Sequence, residues 1–347
     1  MQRTIRSFIY GCTMFGVLGY LPSLGAAEPS TNKASTPVKI HKQGSLIDNL
    51  NLRYNDKVAN CGGNTSALNC SGIILRRAKL EDGVEFWKLK EAATVLDSVT
   101  FSWLRADGAS DSNDLSSGFI YMDQSTARAS KYELPSPRCI YPFMAGTQNA
   151  KRMLKGCGPS DTPISEQPGK SYCITKGVDD LDSWLKDFEE SKANVVKQCS
   201  LSVDGLPHQL IISLQVRKKY SELAKRYGNE LLIPLWKEDK VNQLPIEAFF
   251  FKTADSGAFD FTLKLRESFY NKTGRMVPLV GLQFSTKDTH VFKPLTRDQQ
   301  GRATANALNL RYAKTDPNCN DKAAVYCNGV LVRAVEFETT ARAWNPS

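Results

Sequence analysis

Short apolar runs, separated by polar stretches bearing glycine and proline, alternate along the chain with a few segments of helical periodicity. Gly72 to Arg76 (Gly-Ile-Ile-Leu-Arg) is a β-rich run between a cysteine and a basic pair. Ser98 to Leu104 alternates polar and apolar residues, the period of a half-buried strand. Gly118–Met122, Leu231–Trp236 and Ile246–Phe251 predict three more strands, and Val277–Phe284 a final one. Leu181, Trp184, Leu185 and Phe188 fall at helical spacing within Asp179–Ala193, while Pro207–Tyr227 and Phe259–Tyr270 predict two further helices. Strands that precede and alternate with helices predict an α+β class, with mixed, largely antiparallel sheets and packed helices.

The two ends of the chain break this pattern. Arg3 and Arg6 precede an uncharged apolar stretch, Phe8 to Leu24, and Gly25-Ala26-Ala27 supplies the small residues a signal peptidase reads. Residues 1–27 therefore predict a Sec-type signal peptide and a secreted or periplasmic location, with no membrane span after cleavage. Residues 28–45, rich in Ser, Thr, Pro and Lys, read as a flexible leader. At the other end, Leu50-Asn51-Leu52-Arg53-Tyr54 returns as Leu308-Asn309-Leu310-Arg311-Tyr312. Further echoes pair Asn60-Cys61 with Asn318-Cys319, Cys70 with Cys327, Gly72 with Gly329, Arg76 with Arg333 and Trp87 with Trp344. This predicts a complete module over 46–300, with a subdivision near 200 left open, and a partial second copy over 301–347. A piece that short rarely makes a core alone, so its removal is expected to cost the first module little.

Composition narrows the class. The 347 residues carry 45 Lys and Arg against 36 Asp and Glu, but the excess of +9 is spread thinly, without the basic stripe of a nucleic-acid binder. Discounting Cys12 in the signal leaves eight of the nine cysteines. Spacing suggests neighbour pairs: Cys61–Cys70, Cys139–Cys157, Cys173–Cys199 and Cys319–Cys327. With no CxxC and only three histidines, disulfides in an oxidising compartment account for them better than a metal site.

Common hydrolase, zinc-protease and nucleotide-phosphate signatures are absent. The residues left for chemistry are a basic residue at a strand end, Arg76, a hydroxyl-bearing strand with Thr100 and Ser102, an adjacent ring, Trp103, and scattered carboxylates.

The module resembles the halovibrin family of secreted bacterial proteins. The likeness runs through Asn51-x-x-Tyr54-Asn55-Asp56, Cys61-Gly62, Cys70-Ser71-Gly72-Ile73-Ile74-Leu75-Arg76 and Ser98 to Asp107. It continues through Gly118-Phe119-Ile120, Gly156-Cys157-Gly158, Leu244-Pro245-Ile246-x-Ala248-Phe249-Phe250 and Phe269-Tyr270-Asn271-x-Thr273. The resemblance implies action on NAD as substrate, with no prosthetic group: cleavage of the nicotinamide–ribose bond, ADP-ribose passing to water or a protein acceptor. It also implies an ADP-ribosyltransferase-like first half. Toxins of the cholera and pertussis type place an arginine at a strand end and a Ser-Thr-Ser strand after it, an order similar to Arg76 followed by Thr100-Phe101-Ser102. On that likeness Arg76 would hold the cofactor phosphates, Thr100 and Ser102 would orient the ribose, and Trp103 would stack on a ring. Those toxins also carry a Glu-x-Glu or Gln-x-Glu pair, which this chain lacks in a comparable strand. Glu247 is the candidate acid, with Asp107 and Glu267 as alternatives. Arg76, Ser102 and Glu247 are expected to meet in one cleft. A disulfide-stapled binding module without catalysis is the second class left open.

Overall fold

The computed structural model describes residues 45–62, 65–89, 93–94, 98–108, 115–145, 177–178, 180–202, 207–284, 290–315, 326–327 and 330–331. The expected signal peptide, the leader as far as residue 44, and Cys157, Cys173 and Cys319 lie outside them.

Nine strands form one sheet: β1 (Ile73–Arg77), β2 (Ser98–Leu104), β3 (Ser117–Tyr121), β4 (Cys139–Tyr141), β5 (Leu201–Ser202), β6 (Glu230–Pro234), β7 (Ile246–Lys252), β8 (Leu279–Phe284) and β9 (His290–Lys293). Their order is β5-β4-β6-β2-β1-β3-β7-β8-β9. Every pairing is antiparallel except β7–β8, whose parallel partners are joined through a helix, as a parallel crossover requires. The class is α+β with a mixed, largely antiparallel sheet. Strand β8 is not the last one, because β9 follows and pairs with it.

Seven helices accompany the sheet among the described residues: α1 (Leu46–Asn55), α2 (Gln124–Ala129), α3 (Leu181–Glu190), α4 (Pro207–Lys219), α5 (Ser221–Arg226), α6 (Ala258–Thr273) and α7 (Arg297–Thr315). The expected single helix from Pro207 to Tyr227 is two, interrupted at Tyr220. Period-two alternation sends Phe101, Trp103, Phe119 and Phe249 to one face, where they pack with Trp184, Phe188, Leu265 and Phe269 of α3 and α6. Ile73, Leu75, Ile120, Ala248 and Phe250 point to the other face and meet Leu46, Leu50 and Tyr54 of α1. Helix α1 starts on a capping box, in which the Ser45 hydroxyl accepts from the Asp48 N–H and the Asp48 carboxylate accepts from the Ser45 N–H.

Side-chain amides complete the ladder where strands run out of neighbours. Asn229 accepts from the Trp103 N–H at 2.8 Å and donates to the Trp103 carbonyl at 2.6 Å, just beyond the last β2–β6 pair. Gln198 does the same for Phe143, and Asn51 of α1 for Phe292 of β9. Asn229→Asp should therefore lower unfolding stability by about 1–3 kcal/mol, since a carboxylate cannot donate to the buried Trp103 carbonyl. Urea denaturation would read this, and an unchanged midpoint would refute it.

Disulfide Cys61–Cys70 closes a nine-residue separation, and Cys139 and Cys199 are also disulfide-bonded. Gly72 follows this bridge at φ +70°, where a Cβ would lie 2.2 Å from Trp103 Nε1, so only glycine fits.

Helix α7 crosses the expected boundary at residue 300. Ala303, Ala307 and Leu310 are buried, and Arg266 of α6 donates to the Ala303 carbonyl at 2.6 Å and to Asn306 Oδ1 at 2.8 Å. The first part of the repeat is thus packed on the module it was expected to follow. Among the described residues the remainder of the repeat contributes a short hairpin, β10 (Tyr326–Cys327) with β11 (Val330–Leu331).

Candidate functional site

The expected cleft does not form. Arg76 lies on the α3–α6 face, its guanidinium 5.9 Å from the Phe101 ring centroid and 5.4 Å from that of Trp236. Ser102 lies on the α1 face, because its cross-strand partner Leu75 packs there. Its hydroxyl donates to the Asn229 carbonyl at 3.2 Å. Glu247 is three strands away, since Ser102, Leu75, Ile120 and Ala248 form one row across the sheet. At roughly 4.8 Å per strand the separation is about 14 Å. Thr100 pairs with Leu232 on β6. Trp103 is buried, and its indole N–H donates to the Ser71 carbonyl at 3.1 Å. Of the alternative acids, Asp107 is gripped by both arms of Arg105 at 2.7 Å each; Glu267 sits on α6.

What the fold assembles around Glu247 is a different group. The β3–β7 ladder steps from Ile120↔Ala248 to Tyr121↔Ile246, so Glu247 is an extra residue with no partner opposite. Simple alternation would put it on the face of Phe249. The bulge instead turns it toward α1, where Arg53 waits, a re-aiming for which bulges are used near functional sites. Arg53 Nη2 donates to Glu247 Oε2 at 2.6 Å, and Arg53 Nη1 to Asp123 Oδ2 at 2.9 Å. Side-chain exposure is 4% for Arg53, 16% for Asp123 and 10% for Glu247, so two carboxyl groups share one guanidinium in a nearly closed site.

The two acids are not equivalent. Asp123 follows β3 by two residues and caps α2, accepting from the Thr126 N–H, the Thr126 hydroxyl and the Ser125 hydroxyl as well as from Arg53. Burial alone would raise its pKa, but Arg53 and these donors outweigh it and hold the carboxyl below its ordinary value. Among the described residues Glu247 accepts from Arg53 alone. Desolvation dominates there, and with the nearby Asp123 it lifts the carboxyl above its ordinary value against the pull of Arg53. Arg53 would be lowered by burial, yet the two carboxylates raise it. The linkage signs are therefore opposite. Asp123 stabilises the fold above its unfolded pKa and loses that contribution as pH falls through the folded value. Glu247 favours the fold below its unfolded pKa and loses that contribution as pH rises through its raised value.

Beside this group, Tyr54 accepts from the His290 N–H at 3.0 Å, and its hydroxyl lies 3.3 Å from His290 Nδ1. Burial pushes His290 down to about 4, so the imidazole is neutral. Among the described residues no cluster of His, Cys, Asp and Glu is arranged to hold a metal ion, and no helix is long and apolar enough to cross a membrane.

Sequence reasoning picked out Glu247 but missed Asp123 and Arg53. Asp123 did carry a local signal, the helix-capping run Asp-Gln-Ser-Thr. Arg53, inside the repeated pentapeptide, carried no signal that set it apart from a surface charge. No family model, curated protein or solved structure matches the chain.

Proposed function

We propose that the chain is an exported enzyme that cleaves the nicotinamide–ribose bond of NAD, with ADP-ribose passing to water or a protein acceptor. The observation that carries this reading is the bulge that aims Glu247 at Arg53 beside Asp123. It pairs two carboxyl groups whose proton affinities are driven apart, the arrangement by which acid–base roles are divided between like groups. The substrate class comes from the halovibrin resemblance.

The chemistry suits such a pair. Cleavage of the C1′–N bond sends its electron pair to the pyridinium nitrogen, releasing neutral nicotinamide and leaving an oxocarbenium-like sugar. Asp123, held ionised, offsets the positive charge on the sugar. Glu247, in its ionised fraction, takes a proton from the attacking water as the water oxygen bonds to C1′. Arg53 keeps both carboxyl groups in place.

Hydrolysis of fluorescent etheno-NAD by residues 28–347 tests the reading. The wild-type chain should release fluorescence, and Glu247→Gln should keep the fold but reduce turnover about 10²–10³-fold. A wild-type chain without turnover overturns the reading. The second class, an export-stable binding module without catalysis, has its own observation. Ser102 and Trp103 spend their polar groups on backbone carbonyls, and Arg76 lies against buried and half-buried rings. That outcome of the assay would favour it.

A further inference from the structure

A cavity of about 460 Å³ opens beside α2, lined by Gln124, Arg128, Lys131, Tyr132, Glu133 and Leu134 among others. Its volume is that of a small-molecule site. Two connections lead from it to the acid pair. The first is covalent: Gln124, on its wall, follows Asp123, and the helix that carries Arg128 is capped by the Asp123 carboxylate. The second runs through packed groups. Arg275 stacks over the Tyr132 ring at 4.5 Å and donates to the carbonyls of Asn242 at 2.9 Å, Leu244 at 2.7 Å and Ile246 at 3.3 Å. Ile246 immediately precedes Glu247. The same wall that faces the cavity therefore anchors the strand segment that presents the acid.

The lining chemistry has a sign. Arg128 and Lys131 are exposed cations against one exposed acid, Glu133, and Tyr132 adds an aromatic ring backed by a guanidinium. Lys131 holds φ +59°, an unusual conformation for a residue with a side chain, which ends α2 abruptly and turns the chain around the cavity.

We infer that this cavity is a binding site for the phosphate-bearing portion of a nucleotide, with Arg128 and Lys131 meeting the phosphates. This deepens the proposed function and rests on it for the role of substrate, but binding is measurable without turnover. The cavity wall runs from Gln124, the residue after Asp123, to the far end of α2, so a phosphodiester held by Arg128 and Lys131 would be joined to the acid pair through one short helix.

The test is calorimetric titration of residues 28–347 with ADP, repeated for Arg128→Gln/Lys131→Gln and at raised salt. The wild-type chain should bind ADP, and the double variant should bind it at least tenfold more weakly. Binding should also weaken as salt rises, because the contacts are exposed charges. Both side chains are exposed, so an unchanged melting temperature separates lost binding from lost fold. ADP binding without etheno-NAD turnover would keep this site while overturning the catalytic reading. Wild-type turnover without ADP binding, or binding unaffected by the double substitution, would overturn the site.

Discussion

Truncation after Gln300 is expected to lower the melting temperature sharply or leave the protein insoluble, although the part removed is a fragment of a repeat. The cut falls inside α7 and removes the helix turns carrying Ala303, Asn306, Ala307 and Leu310. Arg266, 5% exposed, would lose both its Ala303 and Asn306 acceptors. In the full chain burial pushes this guanidinium down to about 10, and cutting α7 away uncovers it. Hydrogen bonds from a charged donor contribute about 1.5–3 kcal/mol each net of hydration, so losing two costs several kcal/mol before the lost apolar contacts are counted. That is a large part of the roughly 5–15 kcal/mol that holds a domain folded. Truncation after Thr315 keeps α7 and provides the comparison. Equal melting temperatures for the full chain and the Gln300 truncation would refute the account.

Arg53→Met should be the most damaging single substitution in the acid group, and its effect should depend on pH. With the guanidinium gone, two carboxyl groups remain buried without their common partner. At pH 7 both must ionise against desolvation and against each other, and the loss should reach about 3–5 kcal/mol. As pH falls below roughly 4.5, into the range where free carboxylates protonate, neutral carboxyls become cheaper to bury and the deficit should shrink. Glu247→Gln leaves Asp123 bonded to Arg53, keeps an amide oxygen that can accept from Arg53, and removes a group whose charged form the site disfavours, so its loss of stability should be clearly smaller than that of Arg53→Met. Chemical denaturation of both variants at pH 7 and pH 4 would show the contrast. A pH-independent loss for Arg53→Met would mean that its aliphatic packing matters and the charge pairing does not.

The strands that read clearly from sequence are those with continuous or alternating apolar runs: β1, β2, β3, β6, β7 and β8. Their side-chain period survives in the structure because both sheet faces are covered. Helix α1 did not read as a helix, since one of its four buried positions is Arg53 and Leu52 is 47% exposed. The apolar stripe is interrupted by a charge whose partners lie 70 and 194 residues away. Helix α7 hid for a different reason. Its buried stripe includes two alanines, small enough for close helix packing but weak as a hydrophobic signal. Strands β4 and β5 are too short to show a period. Glu247 was legible as a strand acid. The direction it faces was not, because a bulge is a mismatch between two strands and exists in neither alone. For the same reason the convergence of Arg76, Ser102 and Glu247 could be demanded from sequence but not checked there.

The clasp between Asn51 and Phe292 has a consequence for the protein as a solute. Strand β9 is one of the two terminal strands of the sheet, and on its outer side the Phe292 N–H and carbonyl are taken by Asn51 and the His290 backbone N–H by Tyr54. A strand from another molecule could add there only by evicting α1, which is held by its own core and by the Arg53 pair. The helix therefore acts as a stopper against strand addition at this edge, the hazard an unblocked strand would carry at high local concentration.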